Sequence, residues 1–179
     1  SLDPEDAEAW EHLGTWRSLQ ERTGDAIDAY ARSIEIDPQR VTARFSLAEA
    51  YLEADRNDEA LAIYQGLVES GESGVLQGDD LAAAYAGLAE TYNALGRYDE
   101  AIQTANTLLE RFEDDAEAYY QLATAYDAQS NYDEAITNYQ SAIDSDPLNP
   151  DYYNDLADTL REVKRYDEAL DVALQAISM

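Results

Sequence analysis

Thirty-nine of the 179 residues are carboxylic acids, and carboxylates are the only groups numerous enough here to suggest chemistry at first sight. General acid–base work needs two of them, or one with a histidine, held by the fold so that their pKa values are pushed apart. With 21 Asp and 18 Glu spread along the whole chain, closeness in sequence carries almost no information. The single histidine, His12, stands in a helical pattern and reads as an exposed surface residue, and cysteine is absent, so a nucleophile with its activating base has few candidates. The run Asp144-Ser145-Asp146-Pro147-Leu148-Asn149-Pro150-Asp151 has the alternating oxygens of a calcium loop but lacks its central glycine and distal bidentate Glu. A turn between helices accounts for it. The glycines Gly71, Gly74 and Gly78 lack the GxGxxG spacing, and no Lys-Ser/Thr pair follows as in a phosphate-binding loop. No catalytic, cofactor-binding or metal-binding residue emerges, and the chain reads as a protein that is not an enzyme.

The acids face ten Arg and one Lys, Lys164, for a formal net charge of −28. Nucleic acid is excluded as a partner on this ground, because phosphate binding relies on Lys and Arg to release counterions. Two readings of the acidity stay open. It recruits a basic partner through its field, or it is the signature of an acidic, lysine-poor proteome adapted to molar salt, where the Debye length falls to about 3 Å and self-repulsion is screened. The even spread of carboxylates favours the second. No apolar run reaches the roughly 18 to 20 residues of a membrane span, and no basic, apolar leader is present. The reading is a soluble chain without membrane insertion, its compartment open and the cytoplasm favoured.

The elements that must position these groups are set by a repeat. Ala26, Ala60, Ala101, Ala135 and Ala169 recur 34 residues apart, except for a step of 41 between Ala60 and Ala101. Dividing at this phase gives one domain, 1–179, with units 7–40, 41–74, 82–115, 116–149 and a shortened 150–179, an insertion at 75–81, and 1–6 as the tail of a preceding unit. Each unit holds two helices. Tyr119, Leu122 and Tyr126 make one face of a first helix, and Ala135, Tyr139 and Ala142 one face of a second. Polar turns such as Gln129-Ser130-Asn131 and stops such as Asp146-Pro147 join them, predicting antiparallel hairpins. The insertion reads as a flexible glycine-rich loop, with Asp79 or Asp80 capping the next helix. The phase at both ends suggests a piece of a longer array. Ala173, Leu174 and Ile177 would then present an open apolar face, which predicts self-association through the C-terminal end.

The columns support a family resemblance. Trp10, Arg44, Tyr85, Tyr119 and Tyr153 align, as do Leu13, Leu47, Leu88, Leu122 and Leu156, then Gly14, Ala48, Ala89, Ala123 and Ala157. Arg17, Tyr51, Tyr92, Tyr126 and Leu160 follow, and in the second helix Tyr30, Tyr64, Ala105, Tyr139 and Ala173. Over essentially the whole chain this resembles the tetratricopeptide repeat (TPR), with departures at Arg17 and Arg44 and at Glu72 and Glu113, which replace the proline seen at Pro38 and Pro147. The resemblance implies an all-α fold, a TPR-type alpha-alpha superhelix, that is, a right-handed solenoid of antiparallel helix hairpins. Most of the 14 tyrosines then read as core, with Tyr98, Tyr132 and Tyr166 packing at the start of second helices.

In TPR proteins the partner usually lies in the concave groove lined by first helices. Carried over by column, the resemblance implies Glu11, Phe45, Glu49, Leu52, Glu90, Asn93, Tyr120, Asp127, Asn154 and Asp158 as the partner-binding residues. The basic clamp that some TPR domains use for an acidic C-terminus is replaced here by acids, which disfavours such a tail. The expected partner is a protein or peptide segment with Lys or Arg and an apolar anchor, met by Phe45, Leu52 and Tyr120. The function so implied is an interaction scaffold. The alternatives are a regulatory or targeting segment of a larger enzyme or signalling protein, and a structural spacer or self-assembly unit.

Overall fold

Local capping and small-residue packing together explain why the chain adopts helix after helix. The computed structural model describes residues 5–177, and among them ten helices occur and no strand. They are α1 (Ala7–Ser18), α2 (Thr23–Ile36), α3 (Val41–Glu53), α4 (Asn57–Glu72), α5 (Gly78–Ala94), α6 (Tyr98–Arg111), α7 (Ala116–Ala128), α8 (Tyr132–Ser145), α9 (Pro150–Glu162) and α10 (Tyr166–Ile177). Asp6 and Asp115 accept hydrogen bonds from the backbone N–H of Ala9 and Ala118 and so start α1 and α7. Asn149 starts α9 with Pro150 in its first turn. The residues proposed as the tail of a preceding unit lie largely outside the described part.

The chain divides into two compact units, Ser1–Gly87 and Leu88–Met179. In the first, α1 packs on α2, α2 on α3, and α3 on α4. Ala26, Ile27, Tyr30, Leu47 and Ala50 form a buried cluster there. Close approach depends on small residues. A Cβ at Gly14 would stand 2.5 Å from Cε1 of Tyr30, and one at Gly87 would stand 2.3 Å from Cε1 of Tyr64. Those two rings thus lie where only hydrogen fits. In the second unit α6, α7, α8, α9 and α10 pack each on the next, around Ala123, Ala135, Tyr139, Tyr152, Tyr153, Leu156 and Leu160.

The insertion departs from the loop expected of it. Helix α5 begins at Gly78, so Asp79 and Asp80 lie inside its first turn and carry acid toward the positive helix end instead of preceding it as caps. Leu76 and Leu81 are buried. A Cβ on Gly71 would stand 2.1 Å from Cδ1 of Leu81, so the glycine makes room for that leucine. The backbone carbonyl of Ser70 accepts from the N–H of both Val75 and Leu76, which turns the chain back onto α4. Burial of two leucines holds the segment against the protein, and Gly74 and Gly78 supply the positive φ values, 79° and 59°, that its turn uses. Tyr98 and Tyr132 are half-buried as expected of packing residues, whereas Tyr166 is 60% exposed.

Candidate functional site

The first helices carry the polar residues that the fold leaves facing outward, and each unit positions its own set. In the first unit the half-buried Glu11 is tied by hydrogen bond and charge to Arg40, just before α3. Phe45 is half-buried, its ring 6.3 Å from that of Tyr64 at an interplanar angle of 60°. Leu52 is half-buried and Glu49 exposed. Although the Glu49 residue as a whole meets solvent, protein around its carboxyl desolvates it and Glu53 adds like charge, and both raise its pKa. Glu11 on α1 and Phe45, Glu49 and Leu52 on α3 are thus engaged differently.

In the second unit a polar network runs through α7 and α9. The Tyr120 hydroxyl donates to Asp155 Oδ2 at 2.7 Å, and its ring lies 4.9 Å from Tyr152 and 5.9 Å from Tyr139. Gln121 Nε2 donates to Glu117 Oε1 at 2.6 Å, and the Tyr152 hydroxyl donates to Glu117 Oε2 at 3.3 Å. Asn93 Nδ2 donates to the backbone carbonyl and Oε1 of Gln121, at 3.0 and 2.9 Å. The Thr159 hydroxyl lies 2.9 Å from Asp127 Oδ1. Around this network opens a cleft of about 520 Å³ walled by Thr124, Asp127, Tyr139, Asp155, Asp158, Thr159 and Arg161.

The electrostatics of this network follow from burial among like charges. Desolvation raises the Glu117 pKa against the pull of hydrogen bonds from Gln121 and Tyr152, and Asp115 adds to the rise. Desolvation also raises Asp155, opposed by the Tyr120 hydrogen bond and reinforced by Asp151, Asp158 and Asp127. The Tyr120 hydroxyl is held well above its ordinary value, first by burial and then by its bond to Asp155, and Tyr152 is pushed up to about 12, chiefly by burial. Among the described residues, Glu49, Glu117, Asp127 and Asp155 have no cationic side chain within ion-pair distance.

Of the ten residues implied by the columns, Asp127 and Asp158 line this cleft, with Asp158 paired to Arg161, and Tyr120 joins it through its hydrogen bond to Asp155. Asn93 joins through Gln121. Asn154 and Glu90 are exposed. Tyr120 is an anchor already engaged by Asp155 and two rings. Glu117 and Asp155 stand outside the ten. Glu117 occupies a groove column, and its signal was the apolar company of Tyr120 one turn along. Asp155 falls one residue past the Asn154 column, where the other first helices carry His12, Ser46, Gly87 and Gln121. Its being the one acid in that register was the available hint.

Sequence models of the tetratricopeptide repeat match residues 120–178, 39–114 and 80–147. The chain belongs to the tetratricopeptide repeat family. A search of curated proteins finds no match. Among solved structures this TPR chain is similar to TTC0263, a thermophilic TPR protein in Thermus thermophilus, at TM-score 0.83 and 21% identity over 97% of this chain and 91% of that one. It is similar to YrrB, a TPR protein with an unusual peptide-binding site, at TM-score 0.60 and 20% identity over 97% and 86%. It also matches a chain of the APC/C hetero-tetramer Cut9-Hcn1 at TM-score 0.81 and 20% identity, covering 97% of this chain and 34% of that one. At these identities the likeness establishes the all-α TPR fold, and membership in the family makes a protein-interaction scaffold the general role. Among the described residues no helix is long and apolar enough to cross a membrane.

Proposed function

We propose that this TPR array, with units 7–40, 41–74, 82–115, 116–149 and 150–179, holds a segment of another protein along its first helices without catalytic turnover. The segment carries Arg or Lys beside an apolar side chain. One observation carries this reading: Asp127, Asp155 and Asp158 line one cleft whose Arg161 pairs with Asp158, which leaves Asp127 and Asp155 without a cationic partner among the described residues, and Asp155 is raised in pKa by burial and like charge. A guanidinium or ammonium entering there would relieve repulsion that the folded chain bears alone. Glu49 in the first unit is in the same condition. Phe45 and Leu52, half-buried on the helix that carries Glu49, and the half-buried Tyr120, bonded to Asp155, supply apolar surface within their own units. The peptide site named for YrrB is consistent with such a role for a chain of this fold.

The test is binding of short labelled peptides that pair Arg or Lys with Leu or Phe, against isomers in which Asp or Glu replaces the basic residues. Basic peptides are expected to bind, with affinity falling as salt rises, and Asp155→Asn combined with Asp127→Asn is expected to weaken them about tenfold. Equal binding of acidic and basic peptides would refute the reading.

We propose a second contact surface, used for self-association, on the outer side of α10. Leu170, Leu174 and Ile177 are exposed there at 59%, 55% and 82%, an apolar strip of the kind that marks an interface.

A further inference from the structure

The repeat register allows the turn of one hairpin to be compared with that of another inside the same chain. In α3–α4 the guanidinium carbon of Arg56 lies 4.4 Å from the centre of the Tyr51 ring, and Arg56 Nε and Nη2 reach Glu59 Oε1 at 2.9 and 2.8 Å. Arg97 repeats this in α5–α6, 4.6 Å over the Tyr92 ring, with Nε and Nη2 at 3.0 and 2.6 Å from Glu100 Oε1. Tyrosine, arginine and glutamate stand at i, i+5 and i+8 in both hairpins. The hairpin α7–α8 keeps the ring and the acid, Tyr126 and Glu134, but carries Asn131 where the arginine stands. Its backbone is the same. The φ and ψ angles are −86° and 67° at Asn131, against −93° and 57° at Arg56 and −93° and 60° at Arg97. The Asn131 amide turns toward Gln129 Oε1, at 3.4 Å, and leaves the acid alone.

Tyr126 and Glu134, with Asp133, Thr137 and Asn138, border a pocket of about 290 Å³. Among the described residues no cationic side chain stands within ion-pair distance of Glu134. Arg165 acts on Asp133 as a more distant charge, its own hydrogen bonds going to Glu168. The Thr137 hydroxyl and the Asn138 amide donate to carbonyls of their own helix, so both side chains keep an oxygen as acceptor. We infer that this pocket takes an arginine side chain supplied by a partner protein, laid on the Tyr126 ring and hydrogen-bonded to Glu134, in the place that the chain fills for itself with Arg56 and Arg97. A planar guanidinium brings five N–H donors and no acceptor to a pocket whose polar groups are acceptors beside a ring. Two other hairpins of the chain hold a guanidinium with the same residue types, and that identifies the guest where the number of acids could not. The pocket shares no bordering residue with the cleft between α7 and α9, so it goes beyond the groove reading and does not rest on it. Exposed contacts of this kind are weak singly. The pocket therefore selects among partners by one side chain and does not hold them unaided.

Backbone amide shifts, followed by NMR while Nα-acetyl-arginine amide is added to the whole chain, test this, with Nα-acetyl-lysine amide for comparison. Saturable changes are expected at Tyr126, Glu134, Thr137 and Asn138, with the lysine compound binding about threefold more weakly. Asn131 is exposed, and Arg22, Arg56, Arg97 and Arg165 hold its place in the other hairpins. Asn131→Arg therefore supplies the guanidinium from within and is expected to abolish the changes, while Glu134→Gln weakens binding about threefold. Circular dichroism verifies that both variants stay folded. The double variant Asp127→Asn with Asp155→Asn is expected to keep the full response at the pocket. Changes confined to Thr124, Asp127 and Asp155 would overturn the pocket and leave the groove reading in place. Changes spread evenly over acidic positions and lost in molar KCl would overturn it as general attraction of cations to a net charge of −28. A response at the pocket that persists in Asn131→Arg, or no response in the wild type, would overturn it as well.

Discussion

Asp155 shows how a single side chain can be worth more to recognition than to stability. Its carboxylate and that of Glu117 are raised in pKa, mainly by desolvation. An acid whose folded value lies above its unfolded value destabilises the fold when ionised. Stability is therefore gained as pH falls from neutral through the raised value, and the gain levels off at the ordinary carboxylate range of about 4. Glu59 and Glu168 work the other way, since hydrogen bonds from Arg56 and Arg165 lower their pKa, but their loss begins only below that range. The melting temperature is expected to rise between pH 7 and about pH 5. Asp155→Asn, which keeps an acceptor for the Tyr120 hydroxyl, is expected to melt about 2–4 °C higher at pH 7 and to show a shallower rise. Calorimetry across this pH range checks it. A variant with the wild-type slope would remove Asp155 from the account.

Helices and turns repeat their solutions as faithfully as the core does. The residue that ends each hairpin turn has positive φ in every unit: Glu21 at 57°, Asp55 at 56°, Gly96 at 70°, Ser130 at 63° and Lys164 at 64°. Only Gly96 occupies this left-handed region without steric cost. Arg at the start of the second helix then pairs with an acid three residues on, in Arg22–Asp25, Arg56–Glu59, Arg97–Glu100 and Arg165–Glu168. Exposed pairs of this kind contribute little, about 0–1 kcal/mol, so the turn is the better place to gain stability. Lys164→Gly is expected to stabilise the protein by about 0.5–1 kcal/mol, relief of the left-handed strain outweighing the entropy that glycine adds to the unfolded chain. Thermal melts of this variant beside Gly96→Ala, which should lose stability, measure both signs of one effect.

Across the whole molecule the dominant quantity is charge. A net −28 on 179 residues places self-repulsion on every unit, and screening it should raise the melting temperature steeply toward molar KCl if the acidity reflects life in salt. A flat curve would leave the acidic cleft as its better explanation. The helix pairs, their register and the aromatic and alanine columns of the core could be read from the chain alone, because in a repeat each side chain's burial follows from helical period and the next unit along. Leu47, Leu122 and Leu156, for example, are buried where the columns put them. The insertion could not be read so, since Leu76 and Leu81 have no counterpart in the other units and their burial depends on a fold-back onto α4. The acids of the polar network were equally out of reach. Sequence places Tyr120 and Asp155, Glu117 and Tyr152, each 35 residues apart, and only packing of α7 against α9 brings them within hydrogen-bond range and strips water from them. Periodicity sets which face of a helix is covered. Desolvation and distance between helices, which set the chemistry of the cleft, belong to the tertiary structure because they depend on side chains from several elements at once.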